Sequence, residues 1–156
     1  MDDFSGWESR LYPSIIDNIQ YIVDNVPENG VVYDVGANTG LLTMKVLEQR
    51  PDVKFFVFEP VKKYYEAIVA KFSGSTSVNY FNTALLDFDG EVDFSLSPEN
   101  PGWNAPVNIS HHGDVEKVPS RKLDTIISLY GLPNPDFIKV DVEQSEHLFK
   151  IGRAHV

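Results

Sequence analysis

The sequence has no cysteine among its 156 residues, which excludes disulfide frameworks, thiolate metal sites and cysteine nucleophiles. Basic residues are also scarce: 13 Lys plus Arg stand against 23 Asp plus Glu, for a net charge of −10. A field of this sign repels phosphate backbones and anionic lipid surfaces. We therefore predict that the protein has no nucleic-acid partner and no membrane partner.

Long apolar runs are missing as well. No uninterrupted apolar stretch approaches the ~20 residues that a membrane span requires, and the opening MDDFSGWESR carries acids where a secretory signal would carry positive charge. With the lack of cysteine, these features predict a soluble, cytoplasmic protein. The length and the 42% hydrophobic content suit one globular domain.

The chain alternates helical and strand patterns from its start. Apolar residues from Pro13 to Val26 recur at helical spacing, which predicts an amphipathic helix within an N-terminal segment, residues 1–29. The apolar runs 31–35 and 53–58 predict strands buried on both faces, and a helical pattern follows each of them. Repeated βα units of this kind predict an α/β fold with a mostly parallel sheet and helices on both faces.

The second half of the chain has a different pattern. Residues 78–85 and 91–96 alternate apolar with polar around Asp87-Phe88-Asp89-Gly90 and predict a strand, a tight turn and a strand. Residues 97–114 show no periodicity and predict a long surface loop, in which Trp103 and Asn104 either contact an acceptor or anchor the loop. Asp124 is predicted as the N-cap of a helix that Gly131 ends, and a further strand is predicted at 137–142.

A glycine turn follows the first predicted strand, in the segment Asp34-Val-Gly36-Ala-Asn38-Thr-Gly40. Such a turn lets a ligand approach the backbone at the carboxyl edge of a parallel sheet. The spacing lacks the three glycines of a dinucleotide fingerprint and the Gly-Lys-Ser/Thr of a phosphate loop. Asp34 is predicted to accept hydrogen bonds from an ammonium group, directly or through water. Alternatively, the glycines serve only the turn and Asp34 caps the helix.

An acid also ends the second predicted strand. Glu59 lies 25 residues after Asp34, near the ~20-residue offset at which a carboxylate accepts hydrogen bonds from ribose hydroxyls. Taken alone, an acid at a strand end is more often solvated than functional. Together with the glycine turn, it predicts a ligand with a cationic end and a ribose, which fits S-adenosylmethionine better than a dinucleotide. A nicotinamide-dependent oxidoreductase stays the weaker alternative.

Four segments, VVYDVGANTG, FVFEP, NTALLDFDG and LDTI followed by FIKVDVE, resemble successive signatures of the FkbM family of S-adenosylmethionine-dependent methyltransferases. The resemblance implies a Rossmann-like class I methyltransferase fold over residues 30–149, with S-adenosylmethionine as cofactor. It also implies methylation of a hydroxyl on a small-molecule or sugar acceptor. By motif, the cofactor contacts would be Asp34, Gly36, Asn38 and Gly40 around the methionine part, Glu59 at the ribose, and Thr83 with Ala84 beside the adenine.

The last predicted strand carries three ionisable side chains on one face, namely Lys139, Asp141 and Glu143. Such groups are costly to bury unless they are paired or functional. The resemblance places Asp141 and Glu143 at the active-site mouth, where either would act as a catalytic residue. The alternative is an ion pair between Lys139 and an acid, with Glu143 capping the next helix. His111 and His112 are further candidate bases, but no third ligand is evident and we predict no metal site.

The chain departs from the family pattern in two places. Gln144 stands where the family has a glycine, which makes a tight strand-to-helix turn harder to form. Only ten residues follow Glu146, so we expect the fifth to seventh strands of the fold to be missing and residues 150–156 to be an artefactual tail. A catalytically inactive fragment or binding module is therefore an alternative to an active enzyme.

Overall fold

Helices and strands alternate through the first half of the chain in the computed structural model, which describes residues 3–108 and 113–141. The elements of this half are α1 (Ser5–Asn25), β1 (Val31–Val35), α2 (Leu41–Gln49), β2 (Lys54–Phe58), α3 (Lys62–Phe72) and β3 (Val78–Phe81). The elements of the second half are β4 (Ala84–Leu85), β5 (Gly90–Ser95), a 3₁₀ turn (Pro101–Trp103), β6 (Ala105–Pro106), β7 (Val115–Arg121), α4 (Leu123–Tyr130) and β8 (Phe137–Val140).

Four parallel strands form sheet A, in the order β3-β2-β1-β8. Helices α1, α2 and α3 pack on one face of this sheet, and α4 packs on the other through Leu123 and Ile126. The predicted α/β fold with a parallel sheet covered on both faces is therefore confirmed. Apart from Asp34 in β1 and Lys54 in β2, both strands are apolar, which follows from this double coverage, since successive side chains point to opposite buried faces.

Sheet B is a separate four-stranded sheet in the order β4-β7-β5-β6. Strand β4 is parallel to β7, whereas β5 is antiparallel to both β6 and β7. The hairpin predicted from residues 78–85 and 91–96 is wrong, because β7 lies between β4 and β5. The first of those segments also breaks at Asn82, whose side-chain amide donates to the carbonyl oxygens of Glu59 and Pro60, each at 2.9 Å. These side-chain bonds end β3 in sheet A before β4 begins in sheet B.

Two helix starts differ from the predictions. Helix α1 begins at Ser5, eight residues earlier than predicted, and contains Pro13 in its interior. Helix α4 begins at Leu123 with Lys122 at the N-cap position, so Asp124 lies in the first turn and is not the N-cap. Gly131 ends α4, as predicted, and it adopts the left-handed conformation. None of the helices in the described ranges is long and apolar enough to cross a lipid bilayer.

Candidate active site

A cavity of about 560 Å³ lies at the carboxyl ends of β1, β2 and β8. Its volume is within the ~300–1,000 Å³ range of small-molecule sites, and its position is the usual one for ligands of open parallel sheets. Asp34 and Gly40 do not line this cavity. The predicted site residues that do line it are Gly36, Asn38, Glu59, Thr83, Ala84 and Asp141.

The glycine turn is fixed by backbone bonds to the neighbouring strand. The amides of Gly36 and Ala37 donate to the carbonyl oxygen of Phe58 at 2.9 and 3.1 Å, which joins the ends of β1 and β2. Gly36, Asn38 and Gly40 all have positive φ, at 73°, 55° and 80°. Asparagine tolerates this conformation better than other non-glycine residues, and glycine adopts it freely. The turn thus places Gly36 and Asn38 at the cavity wall.

Glu59 connects the first two βα units. One carboxylate oxygen (Oε2) accepts the amide N–H of Asn38 at 2.7 Å, and the other (Oε1) accepts that of Val61 at 2.9 Å. The residue is only 5% exposed, and burial raises the pKa of Glu59 to about 8, although both amides and Lys139 act in the opposite direction. A carboxylate has about four acceptor positions, so Glu59 keeps the capacity to accept further bonds at the cavity wall.

A buried ion pair lies beside the turn. The carboxylate of Asp34 is fully buried, accepts the hydroxyl of Thr43 at 2.9 Å and lies 3.1 Å from the ammonium nitrogen of Lys139. That ammonium also donates to the carbonyl oxygen of Gly36 at 2.9 Å. The ion pair between Lys139 and an acid, which the sequence left as an alternative, is therefore present. Of its two members, Lys139 lines the cavity and Asp34 does not.

Asp141 lies next to this pair at the cavity surface. Its amide donates to the carbonyl oxygen of Val35 at 3.0 Å, and its carboxylate is 3.9 Å from the Lys139 ammonium. The Asp141 side chain is 42% exposed, so it is open to a molecule that enters the cavity. Glu143, His111 and His112 lie outside the described residues.

Buried apolar and small residues form another part of the wall. Thr83 and Ala84 are both buried, and the Thr83 hydroxyl is 3.1 Å from the carbonyl oxygens of Ala84 and Pro119. This bonding satisfies the hydroxyl within the protein. Further apolar side chains that line the cavity include those of Leu42, Phe58, Leu86 and Phe94.

Sequence patterns missed two groups of cavity residues. The first group lies on the N-terminal part of α1: Trp7, Arg10 and Leu11 precede the segment predicted as a helix, whereas Ser14 and Ile15 lie within it but are not candidate site residues from the sequence. The second group lies on the non-periodic segment around the 3₁₀ turn, where only Trp103 and Asn104 are candidates from the sequence: Glu99, Asn100, Gly102, Trp103 and Asn104. Neither group carries a motif, and only the fold brings them to the cavity.

The sheet is parallel, a glycine turn follows its first strand, and a buried acid follows its second. These features define the class of α/β proteins that bind a ligand at the carboxyl edge of the sheet. The particular family follows from comparison with known proteins. The chain belongs to the FkbM methyltransferase family, because the family model, described as the methyltransferase FkbM domain, matches residues 34–149. The resemblance seen in the sequence and the methyltransferase fold are thereby confirmed.

Two of the curated relatives to which the chain is similar are named as methyltransferases. The chain is 26% identical over 137 residues to the methyltransferase sdnD of Sordaria araneosa, covering 85% of this chain and 51% of that protein. It is 26% identical over 131 residues to the 2-O-methyltransferase NoeI of Sinorhizobium fredii, covering 74% and 54%. It is also 23% identical over 177 residues to the AMB antimetabolite synthetase AmbE of Pseudomonas aeruginosa, covering 87% and 8%. The chain thus spans about half the length of the first two relatives and a small part of the third.

Proposed function

We propose that the chain binds S-adenosylmethionine and transfers its methyl group to a hydroxyl of a small-molecule or sugar acceptor. The observation that carries the proposal is the bond between Glu59 and the Asn38 amide, which brings the predicted ribose acid and the glycine turn to one cavity. Membership of the FkbM family supports methyl transfer. The 2-O-methyltransferase NoeI, one of the similar proteins, supports oxygen as the accepting atom.

The residues present fit this cofactor. Glu59 lines the cavity with unused acceptor capacity for ribose hydroxyls, and Gly36 and Asn38, which line the same cavity, suit the methionine part. The buried wall that includes Thr83 and Ala84 suits the flat adenine. Asp34 acts indirectly in this arrangement, because it holds the Lys139 ammonium against the turn.

The chemistry requires positioning more than covalent participation. When bound, S-adenosylmethionine supplies an electrophilic methyl group for an in-line displacement. The turn and Glu59 hold the cofactor side of the cavity, while Asp141 presents an exposed carboxylate on the same cavity. Asp141 would accept the proton of the acceptor hydroxyl, and Lys139 at 3.9 Å orients its carboxylate. Glu143, which lies outside the described residues, is the second catalytic candidate.

The segment from Ser97 to Asn104 would border the acceptor. Its shape is held by its own polar groups, since the amide of Ser97 donates to the Asn104 side chain at 2.8 Å and the Asn100 amide donates to the Ser97 hydroxyl at 3.1 Å. Trp103 is 46% exposed on this segment and also lines the cavity. An ordered loop with an aromatic ring and amide groups suits a polar, hydroxyl-bearing molecule.

Calorimetry with S-adenosylhomocysteine, the product form of the cofactor, tests the binding part of the proposal. The native chain should bind it, and at a pH above about 8, where Glu59 is ionised, Glu59→Gln should weaken binding about tenfold, because a charge-assisted hydrogen bond contributes ~1.5–3 kcal/mol. Glu91→Gln removes an exposed acid from β5, outside the cavity, and serves as the matched control. A folded native chain that does not bind S-adenosylhomocysteine would refute the proposal.

Methyl-transfer assays with labelled cofactor and a panel of hydroxylated acceptors test the catalytic part. Asp141→Asn should lower kcat by about 10²- to 10⁴-fold, the usual contribution of a general base, and leave the affinity for S-adenosylhomocysteine within about twofold. Native kcat in this variant would remove Asp141 from the mechanism. Binding of the cofactor product without transfer to any acceptor would favour the alternative of a binding module.

A further inference from the structure

The N-terminal part of α1 forms one wall of the cavity, although it precedes residues 34–149, to which the family model is matched. Five residues of this helix line the cavity, and their spacing of three and four residues places them on one helical face. The chain therefore builds part of its candidate site from a segment that the family assignment does not describe. These residues are Trp7, Arg10, Leu11, Ser14 and Ile15.

Specific contacts hold this part of α1 on the glycine turn. The indole N–H of Trp7 donates to the side-chain oxygen of Asn38 at 2.8 Å. The ammonium of Lys71 on α3 is 2.6 Å from the carboxylate of Glu8 and donates to the carbonyl oxygen of Thr39 at 2.9 Å. The helix is thus attached to the same turn that the proposed function assigns to the methionine part of the cofactor.

The two basic side chains at the cavity wall differ in whether an acid already pairs with them. Among the described residues that line it, the cations are Arg10 and Lys139. Lys139 is already engaged by Asp34 and by the carbonyl oxygen of Gly36. Arg10 is exposed, lies 5.6 Å from the centre of the Trp7 ring, and forms no salt bridge with an acid in the described ranges. Its guanidinium therefore keeps its donors available at the cavity.

We propose that Arg10 binds the α-carboxylate of the methionine part of the cofactor, with Trp7 as the residue that positions it. The inference rests on the proposed function and extends it to a residue outside the family-matched range. A guanidinium matches a carboxylate in a two-point hydrogen-bonded pair. The Trp7 ring supports the guanidinium on its face, while its N–H fixes the ring to Asn38 in the turn. Arg10 and Asn38 are thereby joined through one indole ring.

Two related ligands separate this role from a general effect on the site. S-adenosylhomocysteine carries the amino-acid group, whereas 5′-methylthioadenosine has the same adenosine and thioether sulfur without it. Calorimetry on Arg10→Gln should show about tenfold weaker binding of S-adenosylhomocysteine, as expected for the loss of one charge-assisted pair. Binding of 5′-methylthioadenosine should stay within about twofold of native. Trp7→Phe, which keeps a ring but removes the N–H, should weaken S-adenosylhomocysteine selectively and by less.

Lys54→Gln is the matched control, because it also removes one positive charge from an exposed residue, at the start of β2 and away from the cavity. It should leave both affinities unchanged. Equal weakening of both ligands by Arg10→Gln, or native affinity for S-adenosylhomocysteine, would overturn the inference. Failure of the native chain to bind either ligand would instead refute the proposed function, and the role of Arg10 with it.

Discussion

Removal of the Lys139 ammonium should destabilise the folded chain strongly, because its partner is a fully buried carboxylate. The variant Lys139→Met keeps an unbranched side chain but leaves Asp34, which is 0% exposed, without its counter-charge at 3.1 Å. It also leaves the carbonyl oxygen of Gly36 without its ammonium donor. Breaking a buried pair from one side costs about 3–5 kcal/mol, since the remaining charge stays desolvated.

The loss is large enough to be measured by urea or thermal unfolding. For a chain of this size, each 1 kcal/mol lowers the Tm by about 2–4 °C, so we expect a fall of about 6–20 °C. The double variant Asp34→Asn with Lys139→Met removes both charges. Its loss of stability should be smaller than the sum of the two single losses, and the difference is the coupling energy of the pair.

An exposed pair with the same nitrogen–oxygen distance provides the control. Lys117 and Asp93 are also 3.1 Å apart, but their side chains are 61% and 52% exposed. Lys117→Met should change the free energy of unfolding by less than about 1 kcal/mol, because water screens this pair. Equal effects of Lys139→Met and Lys117→Met, or additivity in the double variant, would refute the argument that burial controls the energy of the Asp34 pair.

Three further predictions concern stability. Gly40→Ala should lower the free energy of unfolding by about 1–3 kcal/mol, since the φ of Gly40 is +80° and a Cβ would lie 2.8 Å from the Phe72 ring. Gly74 has the same φ, but a Cβ there meets nothing within 4 Å, so Gly74→Ala should cost less in parallel thermal unfolding. Glu59 has its pKa raised from 4.5 to about 8, so the folded state holds more protons at Glu59 than the unfolded state between these values. Its contribution to stability should therefore fall as pH rises from about 4.5 to about 8, and a native slope in Glu59→Gln would contradict this. Tyr33→Phe should cost about 1 kcal/mol in urea unfolding, because the buried Tyr33 hydroxyl donates to a backbone carbonyl oxygen at 2.5 Å; no loss would show that this bond contributes nothing net.

The order of elements up to Phe72 follows from the sequence alone. Each of the first two strands is apolar apart from one residue, Asp34 in β1 and Lys54 in β2, and each following helix repeats at three and four residues, so local pattern and burial agree. In the second half of the chain, local pattern and observed structure do not agree in this way. Strand β7 contains Pro119, which argues locally against a strand, and its position between β4 and β5 depends on pairing over long sequence separations.

In the candidate site, too, the positions of some residues follow from the sequence, whereas those of others depend on tertiary packing. The positions of Gly36 and Glu59 at the cavity follow from their places at the ends of β1 and β2, which the sequence predicts. The burial of Asp34 behind the cavity wall does not, because it depends on the register that sets Lys139 opposite Asp34 between β8 and β1. Strand register over such a separation is decided by tertiary packing. The same holds for Arg10, since no local pattern indicates that α1 begins at Ser5.

The boundaries of sheet B make this fold suited to recombination. The amide of Leu86 donates to the carbonyl oxygen of Arg121 at 3.0 Å, so the intervening stretch leaves and rejoins the rest of the molecule at adjacent points. A chimera that receives this stretch from another family member would keep both junctions in place, and sheet A is hydrogen-bonded separately. Libraries built by transplanting residues 87–120 would therefore vary the segment proposed to face the acceptor while preserving the strands that carry the glycine turn and Glu59.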